Sequence, residues 1–481
     1  MATTRRDFLR AAALAPALYY LPGRPTRRGS PNEALRVAVI GIRSRGRDHI
    51  GGLHRLKDVE VVAVCDADRA FLDREVAAFA ARGEKLAAET DYRRLLERKD
   101  LDAITIATPN HWHALMAIEA CRAGKHVYVE KPVSHNVREG RALVAAARAS
   151  KRCVQAGTQI RSNPAIAEAV EFVRSGALGA VTVARGLCYK PRRPIGKVER
   201  APEPPATVDL DLWCGPAAKA APRRAQFHYD WHWVWDTGNG DLGNQGIHQI
   251  DICRRFLGDP ALPSSVRSVG GRFGDTDDGE TPNTQIIRFA QGPAPILFEV
   301  RGLPRDAAER AGKWTMDDFD GARIGAVIHC ERGRVVVDGY ASARALDAEG
   351  KEIRRFRGGG DHYANFVDAI RADDPARLNG DVEQGHLSSA LCHLGAISHR
   401  LGAAASPEEI VKALGRDAAL SEAEARQRGH LAANGIDLAK TPLTLGPELA
   451  IDPGTETIRN REDAAPLLTR AYRKPFVLPG D

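Results

Sequence analysis

Between residues 36 and 156 apolar strands alternate with helical stretches, and this confines the segment to a parallel sheet covered by helices on both faces. The periodicity predicts strands at 36–40, 59–65, 101–107, 126–129 and 153–156, with helices at 48–56, 70–81, 113–123 and 137–149 between them. A chain of 481 residues exceeds one ordinary domain, so two or three are expected.

The first strand runs into Gly41-Ile42-Arg43-Ser44-Arg45-Gly46. A dinucleotide needs a tight turn after a strand, followed by backbone N–H groups at a helix start facing its phosphates. Gly41 and Gly46 hold the first and last glycine positions of G-x-G-x-x-G, and Arg43 stands at the middle one. An arginine there must point away or fold over the phosphates as a counter-charge. Asp66 closes the second strand, about twenty residues past Gly46, where a carboxylate accepts hydrogen bonds from the adenosine ribose. It repels a 2′-phosphate, so NAD is the expected cofactor, with NADP left open by the nearby Arg69.

Thr108, Pro109, Asn110, His111, Trp112 and His113 follow the next strand. Asn110 suits a helix cap, and Thr108, Pro109, Asn110 and His113 are expected to pack on the cofactor. His111 and His113 lack a carboxylate or cysteine partner and make a poor metal set, so no metal is expected. Glu130-Lys131-Pro132 then puts a lysine at the carboxyl end of a strand in the same sheet, the edge where ligands bind. Pro132 favours a tight turn and admits a cis bond. A pocket wall and a cationic nicotinamide would lower the pKa of Lys131 and make it useful near neutral pH.

The turn at 36–46, the run ATPNHWHALMAIEACRAGKHVYVEKP and the run GNGDLGNQGIHQID together resemble the Gfo/Idh/MocA family, relatives of glucose–fructose oxidoreductase and inositol dehydrogenase. The resemblance extends over roughly residues 36–402 and looks closest to the exported branches, whose members carry C-terminal extensions. It implies an N-terminal Rossmann domain and a C-terminal α/β domain with an open, mainly antiparallel sheet, which supplies the substrate pocket and often an oligomer interface. The expected divisions are 1–33 (signal and linker), 34–157 (Rossmann), 158–402 (substrate and oligomerisation) and 403–481 (helical extension). Carried over by position, Lys131 is similar to the family's active-site lysine, His248 to the histidine of D-x-G-x-H-x-x-D, and Asp251 to its last aspartate. Asn244 replaces the first aspartate; it can hydrogen-bond a sugar hydroxyl but cannot take its proton. The expected mechanism has Lys131 holding a substrate hydroxyl while His248 removes its proton as hydride leaves, with Asn244 and Asp251 binding substrate.

Residues 228–236 carry Trp231, Trp233 and Trp235 in alternation. On an extended chain these share one face. With Tyr229 they form either a wall that stacks on sugar C–H faces or a core stripe. Tyr189, Lys190 and Arg192 are weaker candidates for the same pocket. Strands are read at 286–289, 296–300, 325–330 and 334–337, and helices at 362–372 and 383–401. Capping boxes are read at Ser406–Glu409 and Ser421–Glu424, with a stop at Asn434-Gly435.

Scattered Lys and Arg with a net charge of +7 argue against a nucleic-acid partner. The 8 cysteines fall singly, with no C-x-x-C pair, which indicates neither a zinc site nor a redox dithiol. Thr4 to Arg10 matches the twin-arginine export pattern, followed by an apolar stretch too short to span a bilayer. The expected partners are therefore the twin-arginine translocase, a small sugar or glycoside in the periplasm, and further copies of the chain as a dimer or tetramer. Three functions stand: an NAD(P)-dependent carbohydrate or polyol oxidoreductase, a redox-neutral glycosidase or epimerase with tightly bound NAD, and a sugar-binding protein that has lost catalysis.

Overall fold

Six short strands build the first sheet: β1 (Leu35–Ile40), β2 (Val59–Cys65), β3 (Ala87–Glu89), β4 (Ala103–Ile106), β5 (His126–Val129) and β6 (Val154–Ala156), with β4 to β6 wholly buried at one side and β3 largely exposed at the other edge. The computed structural model describes residues 34–220 and 222–479; the twin-arginine pattern lies outside them. The strands are all parallel, in the order β3-β2-β1-β4-β5-β6. Alternate side chains feed two cores. Ala38, Ile40, Ile104 and Val129 pack against α4 (His113–Arg122) and α5 (Val137–Ser150). Val37, Val39 and Tyr128 pack against α1 (Arg45–His54) and α2 (Arg69–Ala80). A short α3 (Tyr92–Glu97) follows the unexpected edge strand β3. The strand order reverses between β1 and β4, so a crevice opens at their carboxyl ends.

The second sheet is open and mixed. Its strands are β7 (Val181–Tyr189), β8 (Ser265–Gly271), β9 (Thr284–Phe289), β10 (Ile296–Arg301), β11 (Ile324–Cys330), β12 (Gly333–Val337), β13 (Ser342–Asp347), β14 (Glu352–Arg357), β15 (Ala403–Ala405), β16 (Leu443–Leu445), β17 (Leu449–Asp452) and β18 (Thr457–Ile458). The main path runs β14-β13-β12-β11-β7-β10-β9-β8-β16-β15, with β7 parallel to β10 and antiparallel to β11. Helices α6 (Pro164–Arg174), α8 (Ile247–Phe256) and α10 (Val382–Arg400) bury one face; a short α7 (Leu210–Cys214) and α9 (His362–Arg371) lie beside the Rossmann unit. Long, almost wholly buried α10 joins the lobes: Val382 sits in the Rossmann core and Leu391 in the second.

The stretch after 402, expected as a helical extension, does more than add helices. It supplies β15 to β18, and α11 (Pro407–Leu414) with α12 (Ala418–Ala433) cover the outer sheet face, where Ile410, Leu420 and Leu431 meet Val269, Ile286 and Leu297. Its end returns to the Rossmann core, where Phe476 packs edge-on against Trp112 with ring centres 5.2 Å apart. The Ser406–Glu409 capping box is present. Ser421–Glu424 is not one: it lies inside α12, which is capped by Asp417. All 8 cysteines are buried and free. Among the described residues, no helix is long and apolar enough to cross a membrane.

Candidate active site

The glycines of the first turn are fixed by backbone packing. Gly41 has φ +80°, and a Cβ on it would come within 2.7 Å of the Thr108 amide nitrogen at the end of β4. A Cβ on Gly46 would stand 1.9 Å from the Gly41 carbonyl oxygen. Gly46 and the buried Ile42 shape the turn from beneath, while Gly41, Arg43, Ser44 and Arg45 line the crevice. Ser44, at the N-cap of α1, makes no side-chain capping bond, so nothing on it competes for the first-turn amides. The turn and the helix start therefore fit a pyrophosphate. Arg43 turns outward and crosses the crevice, and its Nη1 donates to the His228 carbonyl (3.0 Å).

Asp66 lies at the end of β2 on the crevice wall. Its Oδ2 accepts from the Ile42 amide and its Oδ1 from the Asp68 amide, each at 3.0 Å. Burial raises its pKa to about 6 against those two bonds. The remaining lone pairs suit ribose hydroxyls. A coenzyme bound there should loosen as pH falls through 6, because the protonated acid loses its charge-assisted acceptor. Asp66→Asn should weaken binding about tenfold and flatten that pH dependence, as read by NADH fluorescence titration. A wild-type affinity unchanged between pH about 5 and 7 would remove Asp66 from this role.

Thr108, Pro109, Asn110 and His113 line the same crevice. Asn110 Nδ2 donates to Asn239 Oδ1 (2.9 Å), tying the lobes together. The His113 ring nitrogens face the carbonyls of Thr108 (2.8 Å) and Pro132 (2.6 Å), and those of His111 face the carbonyls of Trp213 (3.1 Å) and Thr237 (3.3 Å), each neutral ring donating to one of its two. Both imidazoles are spent on backbone, and burial pushes His111 down to about 3.

The Lys131–Pro132 peptide is cis. Glu130 is buried and accepts from Arg45 Nε (2.6 Å), His49 Nε2 (3.1 Å) and Gln159 Nε2 (3.3 Å). Burial opposes its charge, but the Arg45 guanidinium and His49 outweigh this and hold the carboxyl well below the usual range. Lys131 sits on the crevice wall, and its Nζ donates to the Asn244 carbonyl (2.7 Å). Burial lowers its pKa to about 8; Glu130 resists, and Arg45, Lys190 and Arg192 push the same way as burial. His49 and Gln159 escape sequence reading, since nothing local distinguishes them from other polar residues.

The second lobe closes the crevice differently from expectation. Residues 230–233 form a 3₁₀ turn, so the tryptophans do not share a face. Trp231 lines the crevice, stacked on His232 with ring centres 3.6 Å apart, and Tyr229 stands at 39% exposure beside it. Trp233 lies off the wall beneath Arg192, whose guanidinium carbon is 4.9 Å from its ring centre, and Trp235 packs on the second core. Lys190 and Arg192 do reach the crevice; Tyr189 faces the other way and donates to Glu299 (2.6 Å). His228 pairs with Asp68 (2.9 Å).

A π-helical turn, Leu242–Gly246, leads into α8 and brings Asn244 to the wall. His248 and Asp251, one and two turns on, leave it. The His248 ring packs edge-on against Tyr340 (5.5 Å), with Nδ1 buried and unpartnered, and burial with nearby Lys131 pushes its pKa down to about 3. Its ring is not part of the crevice wall, although Lys131 lies close to it, and an imidazole so depressed is a weak base. Asp251, expected to bind substrate, is 1% exposed and forms a forked ion pair with Arg161 (Nη2 2.8 Å, Nε 2.9 Å) while accepting from Ser388 (2.7 Å). The resulting cavity, of about 340 Å³, lies between the two lobes.

Comparison with known proteins agrees with the two-domain fold. Residues 35–158 match the NAD-binding Rossmann domain of the Gfo/Idh/MocA oxidoreductase family, and residues 165–298 match its C-terminal α/β domain. Together these span more than half of the chain, which belongs to this family. Over 128 residues the chain is 38% identical to a glycosyl hydrolase family 109 protein of Shewanella sp. W3-18-1 and 37% identical to an α-N-acetylgalactosaminidase of Shewanella oneidensis. Each match spans 25% of this chain and only 28% of the relative. In fold, the chain is similar to the WlbA dehydrogenase of Bordetella pertussis, solved with NADH and UDP-GlcNAcA (20% identity, TM-score 0.54, 75% of this chain and 96% of that one). It is likewise similar to a levoglucosan dehydrogenase solved with NADH (18% identity, TM-score 0.55, 75% and 97%).

Proposed function

We propose that this protein is an NAD-dependent oxidoreductase that oxidises a secondary hydroxyl of a carbohydrate, with Lys131 as the proton acceptor. The observation that carries the reading is Lys131 itself: an ammonium on the wall of the dinucleotide crevice, held by the Asn244 carbonyl, with its pKa lowered to about 8. Gly41, Arg43, Arg45 and the α1 amides would hold the pyrophosphate, Asp66 the ribose, and Thr108 to Asn110 with His113 the nicotinamide half. Bound there, NAD supplies the hydride acceptor. Neutral Lys131 takes the hydroxyl proton; the Asn244 carbonyl aims its Nζ, and Glu130, pinned by Arg45 and His49, steadies the ammonium that results. Asn244, Tyr229, Trp231 and His232 orient the sugar. Relative to the sequence expectation, the proton acceptor is thus Lys131 in place of His248.

Denaturing the purified protein and identifying any released nucleotide by mass spectrometry, then screening sugars for formation of reduced coenzyme, tests this. Release of NAD and reduction by at least one sugar or polyol supports it; a protein that neither holds nor binds NAD or NADP defeats it.

A second reading, a redox-neutral glycosidase or epimerase, is favoured by the relatives named as glycosyl hydrolases and by the Arg43–His228 bridge across the crevice, which suits a retained coenzyme. Export through the twin-arginine pattern, which we retain as a proposal, points the same way. Arg43→Ala should then speed NADH release in stopped-flow chase about tenfold, the worth of one charge-assisted bond. Equal release rates would mean that the bridge does not retain coenzyme.

A further inference from the structure

The cations on the crevice wall are not equally matched. Arg45 is paired with Glu130, and Arg192 with Asp241. Among the described residues, neither Lys131 nor Lys190 has a carboxylate partner within ion-pair distance; their ammonium groups rest on neutral oxygens of consecutive residues in the π-helical turn. Lys131 donates to the Asn244 carbonyl at 2.7 Å, and Lys190 to Gln245 Oε1 at 3.0 Å. A lysine ammonium carries three donors, so each keeps others for a ligand. The acids on the wall do not compensate: Asp66 is at the ribose end, and Glu130 is spent on Arg45 and His49. A nicotinamide ring bound beside Lys131 would add a further positive charge. A neutral sugar closing this space would strip water from Lys190 without giving it a counter-charge, a net cost. An anionic substituent would remove that cost and lessen the repulsion between the two ammonium groups.

Resting on the oxidoreductase reading of this crevice, we infer that the sugar carries an anionic group, a carboxylate or a phosphate, and that Lys190 is the residue that reads it. Lys131 is left for the hydroxyl that reacts. Gln245, held at its other end by a bond from Nε2 to the Tyr340 hydroxyl (2.6 Å), positions Lys190 from behind.

The test uses the full chain loaded with NADH for equilibrium binding and with NAD for turnover. Matched sugars are compared: glucose and galactose, glucuronate and galacturonate, and a hexose phosphate. Anionic members should bind at least about tenfold more tightly than neutral ones at low salt, with the preference shrinking as salt rises. Lys190→Met should cut the preference about tenfold, and Lys190→Arg should keep most of it. Whether uronate or phosphate binds better identifies the anion, and either supports the inference. Neutral sugars binding as well as anionic ones, no binding by any anionic sugar, or a preference that Lys190→Met leaves intact would overturn it. Turnover of neutral sugars alone would overturn it while sparing the oxidoreductase reading. Anionic sugars that bind through Lys190 without ever reducing the coenzyme would do the reverse.

Discussion

Lys131→Met is expected to lower kcat/KM for any oxidised sugar about 10³-fold, the usual worth of a positioned proton acceptor. The wild-type rate should climb about tenfold per pH unit below 8 and level off above it, because only the neutral amine accepts a proton. NADH should still raise the melting temperature of the variant, showing that the crevice has folded. His248→Ala should cost far less, since its ring lies off the wall against Tyr340 with a pKa pushed down to about 3. Paired pH–rate profiles of the two variants decide the matter. A severe loss in His248→Ala beside a mild one in Lys131→Met would return the proton to the imidazole.

Asp251→Asn is expected to destabilise the fold by about 3 kcal/mol, the lower range for breaking a buried ion pair. Arg161 and Asp251 are both nearly inaccessible, and the change would leave Arg161 with Asp259 alone and weaken the Ser388 contact that joins α8 to α10. In urea denaturation the midpoint should fall with little change of slope. Sugar KM in the folded protein should stay near the parent value. An unmoved midpoint with a raised KM would restore Asp251 to the sugar.

The first lobe was legible because its constraints are local. Strands 59–65 and 126–129 were read at their observed bounds, since the residues buried there are apolar apart from His126. Gly41 and Gly46 announced the turn for the same steric reason that the structure displays. The second lobe hid its central strand. In β7 the sequence VTVARGLCY breaks its alternation with Arg185, a buried cation neutralised by Glu299 on neighbouring β10 (3.3 Å), a partner 114 residues away. Gly186 follows because Phe298 fills the space where a side chain would stand. Asp251 misled for a related reason. Motif spacing placed it with Asn244 and His248, but the π-helical turn carries Asn244 to the wall and leaves Asp251 among α10 and Arg161. The tryptophans misled through backbone: an alternation that implies a shared face on a strand means nothing on a 3₁₀ turn.

The helices α11 and α12 carry one more implication. The resemblance implied that the second domain often supplies an oligomer interface. Here Ile410, Leu420 and Leu431 from the same polypeptide already lie on the outer side of the second sheet, and Leu187, Val327 and Val336 are roofed by Met316 and Phe319. This chain covers that apolar surface with its own residues. A second copy approaching this face would meet the tail's helices and the Met316–Phe319 segment before it met the strands.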